Sequence, residues 1–279
     1  MRDKIDFIEL LGNSRLYTLH SHTEFCDGRA QMEAFAREAV KCGFTHYGFT
    51  PHSPVPIVSP CNMHRNKVET YLGEVERIQR EYGDRVRFLS GMEVDYLGDD
   101  WGPASDYFQS LPLDYTIGSV HFIPAQDGTL VDIDGRFESF ARKMREHFRD
   151  DIRYVVETFY IQSIKMVKSG GFDIIGHLDK IGHNASHYSP GIESEHWYVS
   201  LAETLIDSVI ESGVTVELNT KARKEHGRLF PSELLLKRLV VADVPIIVNS
   251  DTHVPALIDA SRAEAYAILD GMRAACGAQ

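Results

Sequence analysis

The chain has 279 residues, 43% hydrophobic and 25% charged, the balance of an ordinary globular α/β protein. Its formal net charge of −12, from 29 Lys and Arg against 41 Asp and Glu, argues against a broad nucleic-acid surface. No apolar run reaches the length that spans a bilayer, so no membrane partner is expected, while a small anionic substrate stays open because bound metal can invert the sign of one site.

The opening residues, Met1 to Asp6, are charged and lack the apolar core of a secretory signal, so the expected location is cytoplasmic. Cys26, Cys42, Cys61 and Cys276 show no C-x-x-C spacing and read as reduced thiols. Short runs rich in Val, Ile, Phe, Tyr and Thr predict strands at 16–20, 45–50, 86–91, 115–120, 172–176, 215–219 and 245–249. Helical spacing fills the intervals: Ala34 to Val40, Val68 to Gln79, Phe137 to Phe148 continued by Ile152 to Val167, Leu201 to Ile210, Leu234 to Val241 and Ala260 to Met272. Gly170-Gly171 and Gly213 read as helix stops. Seven strand-then-helix units imply a parallel sheet with right-handed crossovers. At this length they suggest one α/β domain over 1–279, a TIM-like barrel with one unit missing or distorted; a doubly wound open sheet is the alternative.

The strand ends carry the chemistry. His20, His22 and Asp27 follow the first strand and His52 the second. Glu93 follows the third, His121 the fourth and His177 the fifth. Asp251 and His253 follow the seventh. In a parallel barrel the carboxyl ends share one rim, where active sites are built. A single His there is ordinarily a hydrogen-bonded rim residue, and a lone Asp251 could be a helix cap. The coincidence of nine such residues on six strands is what argues for a site. Imidazoles and carboxylates without Cys suit Zn²⁺, Mn²⁺ or Fe²⁺, and nine ligands are too many for one ion.

The sixth strand brings cations instead: Lys221, Arg223, Lys224 and Arg228. They read either as a solvated basic loop or as an anion grip. Arg223 is the first candidate to hold phosphate, because a guanidinium grips its oxygens bidentately, and Lys180 is the second. The Pro-rich loop over 53–66 is a candidate lid, and His183, His187 and His226 lie in loops that could face the rim.

The order H-x-H with a following Asp, then Thr50-Pro51-His52, Gly91-Met92-Glu93, Ser119-Val120-His121, Gly176-His177 and Asp251-Thr252-His253 resembles the polymerase and histidinol phosphatase (PHP) superfamily over nearly the whole chain. Leu19 to Gly28, Gly91 to Tyr96 and Gly118 to Phe122 are similar to its histidinol-phosphate phosphatases. Members often carry Thr-Asp-His where this chain has Thr50-Pro51-His52, and the loop after Asn219 also departs from their pattern. The resemblance implies a distorted (β/α)₇ barrel with three divalent ions. His20, His22, Glu93 and Asp251 would hold one; Glu93, His121 and His177 a second; Asp27, His52 and His253 the third. It implies hydrolysis of L-histidinol phosphate by a hydroxide bridging two ions, with Glu93, Asp251 and His253 central to catalysis. The acid for the leaving group is open among Asp179, His183 and His226. A phosphoesterase acting on another small molecule or a nucleotide is the nearest rival. A hydrolase of C–N bonds is less favoured, because Glu93 stands where such enzymes place a carboxylated Lys. A non-catalytic binding protein on the same scaffold is the third rival, and the complete ligand set argues against it. Nothing in the sequence fixes the oligomeric state.

Overall fold

The structure, a computed structural model, describes residues 5–277, so the first four residues of the charged opening lie outside it. Its strands in chain order are β1 (Tyr17–Thr18), β2 (His46–Phe49), β3 (Arg87–Ser90), β4 (Glu93–Asp95), β5 (Ile117–Ser119), β6 (Phe122–Pro124), β7 (Leu130–Asp132), β8 (Ile174–Ile175), β9 (Thr215–Asn219) and β10 (Ile246–Asn249). One parallel sheet has the order β1-β2-β3 and a second the order β10-β9-β8-β5-β4.

Gly91 and Met92 alone separate β3 from β4, so one bent strand passes from the first sheet into the second. The bend needs glycine: a Cβ on Gly91 would lie 2.6 Å from the side chains of Thr50 and Tyr115. Parallel bridges between Ser21 and Thr252 and between His52 and Glu93 join the sheets at their carboxyl ends. The circuit therefore runs β1, β2, β3/β4, β5, β8, β9, β10 and back to β1. These are the seven expected strands, closed into a distorted α/β barrel whose seams are isolated bridges rather than full ladders.

Tyr17, Leu19, Leu89, Tyr115, Ile117, Ile174 and Ile247 fill the barrel interior. The helix Phe7–Asn13, not anticipated from the sequence, packs Leu10 onto this cluster and sets Phe7 edge-on to Tyr115 at 6.0 Å. Asp6 caps it by accepting from Glu9 N–H. Two larger apolar layers lie between strands and outer helices, one around Phe35, Phe49, Tyr71 and Phe88, the other around Phe140, Phe159, Leu205 and Leu236.

Two further elements differ from expectation. The segment after β5 folds into the antiparallel hairpin β6–β7. The third helix is two helices, Phe137–His147 and Ile152–Ser169, separated where Arg149 and Asp150 take positive φ (52° and 62°). Among the described residues no helix is long and apolar enough to cross a membrane.

Candidate metal centre

The opening histidines owe their shared direction to an extended segment that continues past β1. Ser21 N–H donates to Thr50 Oγ1, His22 N–H to Thr252 O, and Leu19 N–H to Asn249 Oδ1. Alternation along that segment sends His20 and His22 to one side, both fully buried. The chain then turns through Thr23 to Gly28, with Cys26 and Gly28 N–H both donating to Thr23 O. A Cβ on Gly28 would stand 2.3 Å from the backbone of His22 and Thr23, so only glycine closes this turn. The closure sets Asp27 Oδ1 3.3 Å from His253 Nε2, 3.7 Å from His52 Nε2 and 3.9 Å from His22 Nδ1.

Glu93 is the hub. Its Oε2 lies 3.2 Å from His20 Nε2, 3.5 Å from His22 Nε2 and 3.0 Å from His52 Nδ1. Its Oε1 lies 2.9 Å from His177 Nε2 and 3.4 Å from His121 Nε2, and accepts from Ser119 Oγ. Asp251 has φ +47°, a left-handed conformation that Asp tolerates better than most residues. Its Oδ1 lies 3.1 Å from His22 Nε2, 3.7 Å from His253 Nδ1 and 3.8 Å from His20 Nε2. All nine side chains singled out from the sequence thus converge on one buried place.

Four overlapping sets have ligand atoms within 4.8 Å of one another: His22, Asp27, His52 and His253; His20, His22 and Asp251; His20, Glu93 and His177; and His52, Glu93 and His121. Within them His20 Nε2, His22 Nε2, Asp27 Oδ1 and Glu93 Oε2 are buried without a hydrogen-bond partner. These atoms face one another at close range with no donor aligned between them. Orphaned buried polar atoms are costly, and ligation by divalent ions satisfies all four together, so the residues fit that group.

The charges agree. Burial opposes ionisation of Glu93 and Asp251, yet the imidazoles around Glu93, and Lys221 with His20 and His22 around Asp251, hold both carboxyls well below the usual range. Asp27 is held low in the same way by His253, His52 and His22. Burial likewise opposes a charge on His20, but Glu217, Glu93 and Asp251 outweigh it and raise its pKa well above the ordinary value. His22 goes the other way, lowered by burial and by His253 and His52.

Strand β9, read from the sequence as the exception that brings only cations, supplies a central carboxylate. Glu217, fully buried, accepts from His20 Nδ1 at 2.6 Å, His177 N–H at 2.9 Å, Asn219 Nδ2 at 3.0 Å and Asn249 Nδ2 at 3.1 Å. Asp95 holds His121 Nδ1 at 2.8 Å in the same manner. Each carboxylate fixes the tautomer that turns Nε2 toward Glu93. The signal for both was alternation: Glu217 with Asn219, and Glu93 with Asp95, are i and i+2 on inward-facing positions. Replacing Glu217 by Gln would set an amide NH₂ against donors only. Glu217→Gln is expected to weaken metal retention about 10–100-fold while far-ultraviolet circular dichroism stays native; unchanged retention in a competition titration would contradict the orienting role.

Of the expected anion-binding residues, Arg223 is engaged elsewhere: its guanidinium donates to Glu264 Oε1 at 2.6 and 3.0 Å and to Gly227 O. Lys180 is largely buried and 2.7 Å from Asp134 Oδ2. Burial opposes its charge, but Asp134, Asp251 and Glu93 raise its pKa further than burial lowers it, and its backbone N–H donates to the carbonyl of His177 in the centre. Lys221, named in the sequence only as part of the basic run, puts Nζ 3.2 Å from Asp251 Oδ1 and 3.4 Å from His253 Nε2. Asp179 Oδ2 accepts Ser232 N–H, with Arg228 3.8 Å off, while its Oδ1 is buried without a partner. The 53–66 loop is irregular and pinned: Asn62 Nδ2 donates to Ser53 O and Asp95 Oδ2, and Trp101 Nε1 to Pro54 O.

Comparison with known proteins adds four findings. The sequence pattern of the PHP domain matches residues 18–221. A Deinococcus radiodurans protein named "Probable histidinol-phosphatase" is 27% identical over 85% of this chain and 85% of its own. The Bacillus subtilis histidinol-phosphatase is 26% identical over 84% of this chain and 92% of its own. Among solved structures, a histidinol phosphate phosphatase from Lactococcus lactis, complexed with zinc, L-histidinol and phosphate, superposes with a TM-score of 0.68. It covers 92% of this chain and 94% of its own at 17% identity, a likeness of fold.

Proposed function

The chain belongs to the PHP domain family, and from that membership we propose that it is a metal-dependent phosphomonoesterase hydrolysing L-histidinol phosphate to L-histidinol and phosphate, a late step of histidine biosynthesis. The observation that carries the reading is the convergence of His20, His22, Asp27, His52, Glu93, His121, His177, Asp251 and His253 around four orphaned ligand atoms. We assign three divalent ions (Zn, Mn or Fe) to these residues, with Glu93 shared, because the four overlapping sets exceed what one ion accommodates.

Divalent ions held here would supply Lewis-acid charge to the phosphoryl oxygens and lower the pKa of an attacking water. The chain's own residues do the rest. Glu217 and Asp95 keep His20 and His121 in one orientation, so little reorganisation accompanies turnover. Lys180 and Lys221 flank the centre and present ammonium groups to a phosphate dianion. We place them ahead of Arg223 for the phosphate grip, because Lys221 is paired with Asp251 of the centre itself, whereas Arg223 is paired with Glu264. Lys180→Ala is expected to raise KM for L-histidinol phosphate about tenfold with a smaller effect on kcat, and Arg223→Ala to leave both within about twofold. The reverse pattern in steady-state kinetics would return the phosphate grip to Arg223.

Phosphate release from L-histidinol phosphate against a panel of sugar phosphates and nucleotides tests the substrate. A preference of about 10²-fold or more in kcat/KM for L-histidinol phosphate is expected. Equal turnover of the panel would leave a phosphoesterase of another specificity.

A further inference from the structure

His183 and His226 play no part in the centre described above, yet each belongs to an element that carries one of its lysines. Lys180 is the residue before the helix Ile181–Tyr188, and His183 N–H donates to Lys180 O. Lys221 opens the loop after β9, and His226 ends the short helix Arg223–His226 in that loop. The rings of His183 and His226 meet with centroids 4.5 Å apart and planes tilted by 55°. We propose that His183 and His226 form the subsite for the heteroaromatic ring of the substrate, an imidazole, and set the preference of the phosphatase for a ring-bearing phosphomonoester. The proposal rests on the histidinol phosphate reading and deepens it.

The placement follows from the backbone. Lys180 N–H donates to His177 O and His183 N–H to Lys180 O, so His177, a lysine and a ring follow one another at intervals of three along one helical run. Residues three apart share a helix face, so the face that carries Lys180 presents His183 next, about 4.5 Å further along the axis. Lys180 Nζ, 2.7 Å from Asp134 Oδ2, and Asn184 Nδ2, which donates to Gly135 O, fasten this face to the segment after β7. Lys180, His121 and Lys221 all act on Asp134 to hold its carboxyl low, and Asp134 in turn acts on His183, so these groups lie at one mouth of the barrel. A phosphomonoester gripped by Lys180 and Lys221 sends its organic group outward along both elements. In L-histidinol phosphate the ring centre stands about 7 Å from phosphorus, a little over one helical turn. At that remove the two elements bring His183 and His226 together.

The chemistry of the pair matches an imidazole. Two tilted rings in contact form a corner, and a third ring packs against it edge-on or offset face-on. A neutral histidine ring offers one N–H donor and one acceptor nitrogen, complementary to the same pair on a neutral imidazole. His183 is half-buried, and burial together with His226, His187 and Arg228 lowers its pKa to about 4, so it meets the substrate ring uncharged. His187, one turn further along the helix, donates from Nδ1 to His183 O at 2.7 Å, and the Phe137 ring lies 5.7 Å from that of His187. The aromatic lining thus continues outward from the corner. His226 is exposed, so the corner is open to the solvent from which substrate arrives.

The test removes the ring from either side of the contact. Values of kcat/KM are measured for L-histidinol phosphate and for L-alaninol phosphate, which keeps the amino-alcohol ester and lacks the ring, with the metal-replete full-length wild type, His183→Ala, His226→Ala and the double variant. The ratio of the two values is expected to be about 10² in wild type and to fall about tenfold in each single variant, mainly through KM for L-histidinol phosphate. In the double variant it is expected to approach unity. Residues that only support the fold would lower both substrates together, so a ratio that stays at its wild-type value in His183→Ala and His226→Ala would overturn the subsite while leaving the histidinol phosphate reading intact. A wild-type ratio near unity would overturn that reading and the subsite with it. His226 is exposed and sits in a loop, so His226→Ala decides the matter even where His183→Ala fails to fold.

Discussion

Glu93→Ala is expected to lower the turnover of L-histidinol phosphate by at least about 10³-fold, the equivalent of roughly 4 kcal/mol of lost transition-state stabilisation. The expectation rests on position rather than on charge alone. Glu93 faces His20, His22, His52, His121 and His177 within 3.5 Å, more of the centre than any other residue touches. Its removal leaves five imidazoles around a hole, and the two sets that contain it cannot hold an ion as before. The fold should persist, because the bridge from His52 to Glu93 is made by backbone and Ser53 N–H still donates to residue 93 O. Native circular dichroism with turnover near wild type in metal-replete buffer would remove Glu93 from the site.

Asp27→Ala is expected to separate one of the proposed ions from the others. Asp27 lies within reach of His22, His52 and His253 and shares a ligand set with none of Glu93, His121 and His177. The substitution is expected to lower bound metal by one equivalent per chain and turnover by about 10²-fold. Full metal content in Asp27→Ala, or loss of every ion, would contradict the division of ligands proposed here. Gly28 belongs to the same argument, because the turn it closes is what carries Asp27 to His253.

Much of this constellation is legible in the primary sequence because a parallel barrel converts strand ends into one rim, so the address of a rim side chain reduces to finding where each strand stops. His20 with His22, Glu93 and Asp251 are all found that way. Glu217 is missed because it lies inside β9, before the strand ends, where a carboxylate is unexpected until its four donors are seen. Asp95 is missed because Glu93 accounts for the same strand. Arg223 is the first anion-binding candidate in the sequence, with Lys180 second, on guanidinium chemistry; its pairing with Glu264, forty-one residues further along the chain, is a tertiary contact that no local pattern announces. The hairpin β6–β7 has a weak local signature, Asp127-Gly128 between short apolar runs, obscured by Pro124. The helix Phe7–Asn13 offers too few turns for its apolar period to stand out.

The two added carboxylates also alter the electrostatics. Three divalent ions against Asp27, Glu93 and Asp251 alone would leave about +3 at the centre. Glu217 and Asp95 reduce that surplus, which gives Lys180 and Lys221 a larger share in attracting phosphate to an acidic protein.

The central claim is that this constellation hydrolyses L-histidinol phosphate through bound divalent ions. Phosphate release is measured on the native protein, after exhaustive chelation, and after readdition of Zn²⁺, Mn²⁺ or Fe²⁺ singly. The account predicts that turnover falls below detection on chelation and returns with at least one of these ions, saturating near three equivalents per chain. Undiminished phosphate release from protein shown by elemental analysis to hold no transition metal would contradict it.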